Sequence, residues 1–301
     1  MSLLVTGSIA FDSVSTPFGR AEDVLGGTAV YFSLAASYYV PVRLVAVVGE
    51  DFPEEHRRVL AERRIDLSGL EVRPGAQTFR WTGRYEGAMN EAQTLDVRLN
   101  VLAEAPPAVP EAFRDSRFVF LANTHPALQK DLAAQLDAPT VVVCDTMNLW
   151  IETEKEALLD TLAIVDGVII NDGEARLLTG RVNLIEAGEE VMALGPRFVI
   201  IKKGEHGSVL ISEEGVTAIP AFPARKVVDP TGAGDSFAGG LMGHLAAVGR
   251  CDPEALRSAM VRGTVAASFA IEDFSMNRVR TLTRGEIDRR VGDFLRMLRL
   301  E

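Results

Sequence analysis

The chain has 301 residues, 47% of them hydrophobic and 24% charged, with 31 Lys and Arg against 42 Asp and Glu. That apolar content supports a sizeable core and excludes wholesale disorder. The formal net charge of −11 excludes broad electrostatic binding to nucleic acid or to an anionic membrane. A small anion held by a few local donors remains compatible with it.

In chain order, residues 3–9 form a short apolar run that predicts a buried strand. Residues 11–25 carry no helical period. A helix is expected over 28–39, a strand over 43–48 and a second helix over 53–64. Residues 78–101 alternate without helical period around a polar turn at 86–92, which predicts an antiparallel hairpin, and 11–25 are expected to join it. Pro106, Pro107 and Pro110 mark the return to the core. Strands are then predicted at 118–121, 140–144, 167–170, 198–202 and 208–211, with helices at 126–136, 153–164 and 184–194. The last third reads as helical over 232–248, 253–269 and 284–298. Pro53, Pro126 and Pro253 stand near helix first turns, where a missing N–H costs little. Apolar strands alternating with amphipathic helices argue for an α/β fold with a mostly parallel sheet covered on both faces, plus a small antiparallel β lid.

The two cysteines, Cys144 in an apolar run and Cys251 in a loop, make no disulfide framework. No stretch approaches the length of a membrane span. The expectation is a cytoplasmic chain acting as one domain over 1–301, with no linker and no repeat.

The strongest local signal is Asp229-Pro230-Thr231-Gly232-Ala233-Gly234-Asp235-Ser236-Phe237. Gly232 and Gly234 allow unusual backbone angles and close approach of a ligand. A glycine turn opening a helix aims free N–H groups and the positive end of the helix dipole at one spot, which suits a phosphate. Asp235, in the first turn, is placed to orient or deprotonate an attacking hydroxyl. Taken alone, the same residues also read as an ordinary glycine turn with a helix-start acid. A dinucleotide GxGxxG is excluded by Phe237, and no Walker motif occurs. Gly234-Asp235-Ser236 superficially matches an esterase block, but Pro53, Ala122, Lys203 and Leu241, three residues before the four histidines, are none of them acidic.

The 229–237 block resembles the second signature of the PfkB/ribokinase family of sugar and nucleoside kinases. Three further blocks fall in that family's order: Gly26-Gly27-Thr28-Ala29, Asn171-Asp172-Gly173-Glu174, and Lys202-Lys203-Gly204-Glu205-His206-Gly207. The resemblance spans most of the chain and implies a ribokinase-like three-layer sandwich. It implies Asp235 as catalytic base, with Gly232, Ala233 and Gly234 supplying N–H groups to the transferring phosphoryl. It implies ATP and Mg²⁺, with Asn171 and Glu174 placing the metal, Glu174 through water. Lys202, Gly204 and Gly207 would line the nucleotide. Asp229 and Thr231 fall where many relatives hold a monovalent cation such as K⁺. Read without the other blocks, Glu174 is a helix-start acid and Gly204 with Gly207 a hairpin turn.

For the substrate, the resemblance implies that Asp12 holds sugar hydroxyls and that Gly26, Gly27 and Thr28 contact substrate. Relatives commonly carry Asn four residues after the second glycine, and this chain has Tyr31 instead. Phe79, Trp81 and Tyr85 share one face of a strand and suit a nucleobase, or the packing of the lid. Asn148 lies in Met147-Asn148-Leu149, a stretch similar to one in adenosine kinases. Arg80, Arg84 and Arg98 read as a solvated face or as contacts to a phosphorylated substrate. The expected activity is phosphoryl transfer from ATP to the ribose 5′-hydroxyl of a nucleoside. A sugar kinase of the same family, and a non-catalytic ligand-binding protein on this fold, are the alternatives. The partner is a small molecule, with a homodimer through the lid as a further expectation.

Overall fold

A computed structural model describes residues 1–299. The strands are β1 (Leu3–Thr6), β2 (Ala10–Thr16), β3 (Gly19–Gly26), β4 (Val42–Gly49), β5 (Ile65–Arg73), β6 (Phe79–Tyr85), β7 (Ala92–Arg98), β8 (Phe118–Leu121), β9 (Val141–Cys144), β10 (Gly167–Asn171), β11 (Phe198–Lys202), β12 (Ser208–Ser212) and β13 (Gly215–Ile219). The helices are α1 (Thr28–Ser37), α2 (Glu54–Ala61), α3 (Pro126–Ala133), α4 (Asn148–Thr153), α5 (Lys155–Leu162), α6 (Asp172–Thr179), α7 (Leu184–Met192), α8 (Ala233–Val248), α9 (Pro253–Ala270) and α10 (Arg284–Leu298).

Nine strands form the large sheet in the order β13-β12-β11-β10-β9-β8-β1-β4-β5. β5, β4, β1, β8, β9, β10 and β11 run parallel, and β12 and β13 close one edge antiparallel. Alternation along β1 sends Leu3 and Val5 to one face and Leu4 to the other. Leu3 and Val5 join a core with residues of α1, α8 and α9, whereas Leu4 joins a second core with residues of α3, α5 and α7. Both faces are covered, which is why the central strands are largely apolar, β8 and β9 at every position. On the first face α8 lies close against α1. A Cβ at Gly239 would meet the Phe32 carbonyl at 2.3 Å, so that glycine serves packing.

The small sheet has the order β3-β2-β6-β7. It consists of two antiparallel hairpins, joined by a parallel pairing of β2 with β6 that sequence alternation did not disclose. Its edge strand β7 is exposed along its whole length. The sheet leans on the segment before α8: the Thr16 hydroxyl donates to the Val228 carbonyl at 2.9 Å, and Val14, Tyr85 and Met89 pack together with Val227. Among the described residues no helix is long and apolar enough to cross a membrane. Cys144 and Cys251 are both free.

Several elements add to those expected from the sequence. The helix expected over 153–164 is α5, and a separate short helix, α4, precedes it and ends at Thr153. β5 and β13 were not anticipated, and α6 was anticipated only through the reading of Glu174 as a helix-start acid.

Candidate active site

In an open parallel sheet, ligands bind beyond the carboxyl ends of the strands, where the chain switches direction. Here β1 has β4 on one side and β8 on the other, and a cavity of about 880 Å³ opens at their carboxyl ends. Thr6, Gly7 and Ser8 at the end of β1, Asn123 and Thr124 after β8, and Ala46 and Val47 of β4 all line it. Farther along, Asp145, Asn171 and Lys202 stand at the ends of adjacent strands β9, β10 and β11, with Asn171 paired in register with Lys202. Gln129 from α3 fixes two of these ends. Its amide donates to the carbonyls of Leu121, Ala122 and Asp145 at 2.8, 3.2 and 3.0 Å.

α8 begins at this row. Its N-cap is Gly232, at φ 71°, a left-handed conformation that a side chain resists. A Cβ there would meet the Tyr31 ring at 2.3 Å, so Gly232 also permits close packing on α1. The Ala233 N–H turns back to the Pro230 carbonyl at 3.1 Å, and Gly232 and Gly234 keep N–H groups without a protein acceptor among the described residues. Of the three N–H groups expected to face an anion, the turn thus engages that of Ala233 and leaves those of Gly232 and Gly234. A Cβ on Gly234 would lie 2.9 Å from Lys202 Nζ, which places the ammonium over the helix start.

Asp235 lines the cavity in the first turn of α8. Burial pushes its carboxyl up to about 6, Lys202 pulls it down, and Glu174 pushes it up. That position suits a base working near neutral pH. Asp145, 6% exposed, is held well above the carboxylate range by burial and by Asp235, against the pull of Lys202. Its Oδ1 has no hydrogen-bond partner.

Asn171 and Glu174 form a reciprocal cap on α6. The Glu174 N–H donates to Asn171 Oδ1, and the Asn171 N–H to Glu174 Oε2, both at 2.7 Å. The helix-start reading is thus realised in full, and the other Glu174 oxygen is left for a second task. Glu174 is buried, which raises its carboxyl, and Lys202 is the strongest opposing influence. Gly204 and Gly207, at φ 52° and 85°, shape the turn between β11 and β12, and the Lys203 N–H donates to the Gly207 carbonyl at 2.7 Å. Asn90, in the turn between β6 and β7, reaches this element: its amide donates to Glu205 Oε1 at 3.4 Å, and a Cβ on Gly204 would meet its Oδ1 at 2.7 Å.

On the opposite side lies Asp12, 4% exposed. Burial pushes its carboxyl up to about 7, the Gly27 N–H pulls it down, and Asp229 and Asp235 push it up. Gly27 N–H reaches Oδ2 at 3.4 Å. Gly26 does not line the cavity. A Cβ there would fall 1.9 Å from the Asp12 carboxylate, so Gly26 makes room for Asp12. Thr28 lines the cavity, but its hydroxyl and N–H exchange hydrogen bonds with Ser8, tying the β1 loop to α1.

Phe79, Trp81 and Tyr85 all line the cavity from β6. The Trp81 indole lies over Gly83, where a Cβ would meet the ring at 2.1 Å, and its N–H donates to the Thr94 hydroxyl at 3.2 Å. The Thr231 hydroxyl is buried and unpartnered, with Tyr85 facing it. Asp229 accepts the Thr231 N–H at 2.9 Å and the Ser275 N–H at 3.0 Å. Asn148 is exposed, starts α4 and does not line the cavity; Met147, Leu149 and Trp150 do. A residue at a helix start points away when its neighbours turn inward. Arg80, Arg84 and Arg98 are each paired with carboxylates, with Asp23 and Asp51, Glu86 and Asp96, and none lines the cavity.

Sequence reading missed Asp145, His125 and Trp150. Trp150 donates to Asn123 Oδ1 at 2.9 Å, with the His125 ring centred 5.2 Å from its own. Asp145 had a signal: it is the first polar residue after a fully buried parallel strand, which is where such sheets place their ligands.

A glycine turn with free N–H groups at a helix start, a lysine above it and a raised carboxylate facing a roomy cavity are what a phosphotransferase with an alcohol acceptor requires. Residues 5–279 match the pfkB family carbohydrate kinases, and the chain belongs to that family. It is 28% identical over 249 residues to a cytidine kinase of Thermococcus kodakarensis, covering 80% of this chain and 87% of that protein. It is 24% identical over 284 residues to an inositol 3-kinase of Arabidopsis thaliana, covering 90% and 74%. The aminoimidazole riboside kinase of Salmonella enterica shares the fold, with a TM-score of 0.80 at 18% identity over 97% of this chain and 100% of that one.

Proposed function

We propose that this chain is an ATP-dependent nucleoside kinase that phosphorylates the ribose 5′-hydroxyl, working as one domain with the small sheet as its lid. The observation that carries the reading is the position of Asp235. It lies between the Lys202-capped start of α8 and a cavity walled by Phe79, Trp81 and Trp150. Aromatic walls suit a nucleobase, since stacking contributes about 1–3 kcal/mol per base. The cytidine kinase relative supports the same reading.

In this scheme Asp12 accepts from a ribose hydroxyl and orients the sugar. Asp235 takes the proton of the 5′-hydroxyl as its oxygen attacks the γ-phosphorus of ATP. The Gly232 and Gly234 N–H groups and Lys202 stabilise the charge that gathers on the transferring group. Lys202 and the Gly204–Gly207 turn line the nucleotide. The small sheet excludes water as a rival acceptor. The unpartnered, buried Asp145 Oδ1 and the spare Glu174 oxygen fit a hydrated Mg²⁺, which retains much of its water shell. When bound, that ion neutralises the phosphate oxygens. Asp229 and the unpartnered Thr231 hydroxyl form the proposed edge of a monovalent-cation position. A homodimer through the exposed β7, in a reducing cytoplasm, completes the proposal; sedimentation at micromolar protein tests the dimer.

A second reading, phosphorylation of a sugar or cyclitol, is favoured by the inositol 3-kinase relative. The deciding measurement is ATP consumption with nucleosides, ribose, fructose and inositol compared side by side. The nucleoside reading expects kcat/KM at least about tenfold higher on a nucleoside than on any sugar. Turnover of sugars or inositol alone overturns it.

A further inference from the structure

Gln129 of α3 is wholly buried. Its side-chain nitrogen lies 2.8 Å from the Leu121 carbonyl, 3.2 Å from that of Ala122 and 3.0 Å from that of Asp145. Three acceptors around one atom identify it as the NH2 end, whose two protons are shared among them. The Ala122 and Asp145 carbonyls take no other protein hydrogen bond among the described residues. At the other end of the amide, Oε1 is buried and has no partner. An unpaired buried oxygen is costly, and an apolar side chain would fill the same space without that cost. The residue is therefore kept for its donor.

What the donor secures is Asp145. Leu121 ends β8, and Asp145 follows β9. The Asp145 N–H donates to the Leu121 carbonyl at 3.3 Å, and that same carbonyl takes the Gln129 amide. Both peptide groups flanking the Asp145 Cα are thus tied, one through Leu121 and the other directly to Gln129. With both held, the direction of the Cα–Cβ bond is held as well. The carboxylate it carries is acted on by Asp235, Lys202 and Glu174, and its Oδ1 is free of any protein partner. Gln129 bonds Asp145 through the main chain only.

Resting on the kinase reading above, we propose that Gln129 is a positioning residue: by holding the ends of β8 and β9 together, its amide sets the Asp145 carboxylate in the row with Lys202 and Asp235 where the phosphoryl group passes. Loss of such alignment lowers turnover more than binding, since a displacement of about 1 Å can cost about 10²-fold in rate.

The test is a double-mutant cycle of Gln129→Met, Asp145→Asn and the pair, followed with radiolabelled ATP on the best nucleoside. Asn at 145 leaves the main-chain carbonyl in place, so each single change removes a different group. Melting temperature checks folding, and calorimetry gives the nucleoside Kd without ATP. Gln129→Met is expected to lower kcat by roughly ten- to hundredfold, with nucleoside Kd and KM within about threefold of wild type. In the Asp145→Asn background the same change should lower kcat by less than about threefold. Gln129→Glu, which burial among three carbonyls keeps protonated, retains one donor and should recover part of the rate. If the methionine variant does not fold, the glutamate variant takes its place in the cycle; failure of both to fold would make Gln129 a residue of the fold and overturn the proposal. An equal loss in both backgrounds means that Gln129 acts apart from Asp145, and overturns it too. So do an unchanged kcat in the folded variant, a loss confined to nucleoside KM, and an Asp145→Asn enzyme as fast as wild type. A wild type that uses sugars or cyclitols but no nucleoside overturns the nucleoside reading alone, and the cycle on that substrate then decides Gln129. Turnover of no acceptor overturns both.

Discussion

Lys202 Nζ lies against the Cα of Gly234, so close that a methyl group built there would meet it at 2.9 Å. One residue comes from the end of a parallel strand and the other from the first turn of a helix across the sheet. Their contact sets an ammonium beside free backbone donors, and it sits next to Asp235, the proposed base.

That carboxylate gives a pH dependence with a definite sign. The proposed base, Asp235, must be ionised to act, and burial has raised its carboxyl to about 6, so kcat/KM should fall as pH drops through that value. Lys202 favours the ionised form, and Glu174 opposes it. Lys202→Met should therefore move the acid limb to higher pH and raise KM for ATP. Glu174→Gln should move it to lower pH, while keeping the cap on α6 because an amide oxygen still accepts from Asn171. pH–rate profiles of the two variants check the opposite displacements.

Asp235→Asn should leave the melting temperature unchanged or raised, since it removes a carboxylate whose charge burial disfavours. Turnover should fall by about 10²–10⁴-fold. Near-normal phosphorylation by the folded variant would remove Asp235 from the role of base.

Asp12 links stability to pH. Its carboxyl is raised from 3.8 to about 7 in the folded chain. The folded state thus binds more protons than the unfolded one between about pH 4 and 7, and stability declines as pH rises through that window. The loss is on the order of 4 kcal/mol at most. Asp12→Asn should raise the melting temperature at pH 8, do so much less at pH 4, and abolish efficient substrate use. A gain that is equal at both pH values would contradict the assignment of burial as the cause.

Gly232 and Gly234 should answer differently to the same change. Gly232→Ala meets both a left-handed backbone and the Tyr31 ring at 2.3 Å, and should cost about 2–4 kcal/mol. Gly234→Ala lies in right-handed helix and meets only the movable tip of Lys202, so its cost should stay below about 1 kcal/mol while KM for ATP rises. Denaturant midpoints and ATP kinetics separate the two.

How far the molecule could be read from its sequence follows burial. The central strands announce themselves because both their faces are covered. β5 mixes Ile65, Leu67 and Leu70 with Asp66, Ser68 and Glu71 because it is an edge strand, and an edge strand carries no continuous apolar run. β13 hides for the same reason. The site was legible where the backbone itself is the device, as at 229–237 and 171–174. It was not legible where function depends on neighbours distant in sequence. The place of Asp145 just after a buried strand hints at a site, but its surroundings are set by Lys202, Glu174 and Asp235, all distant in sequence. Asn148 and Trp150 differ by two positions, and only the direction in which α4 starts decides that the second faces inward.

The chain has two tryptophans, Trp81 on the lid and Trp150 beneath it, and both line the cavity. Indole emission from this protein therefore has no background from elsewhere in the fold: all of it arises at that wall. The molecule is its own optical gauge of occupancy, and single Trp→Phe replacements would divide the signal between the small sheet and α4.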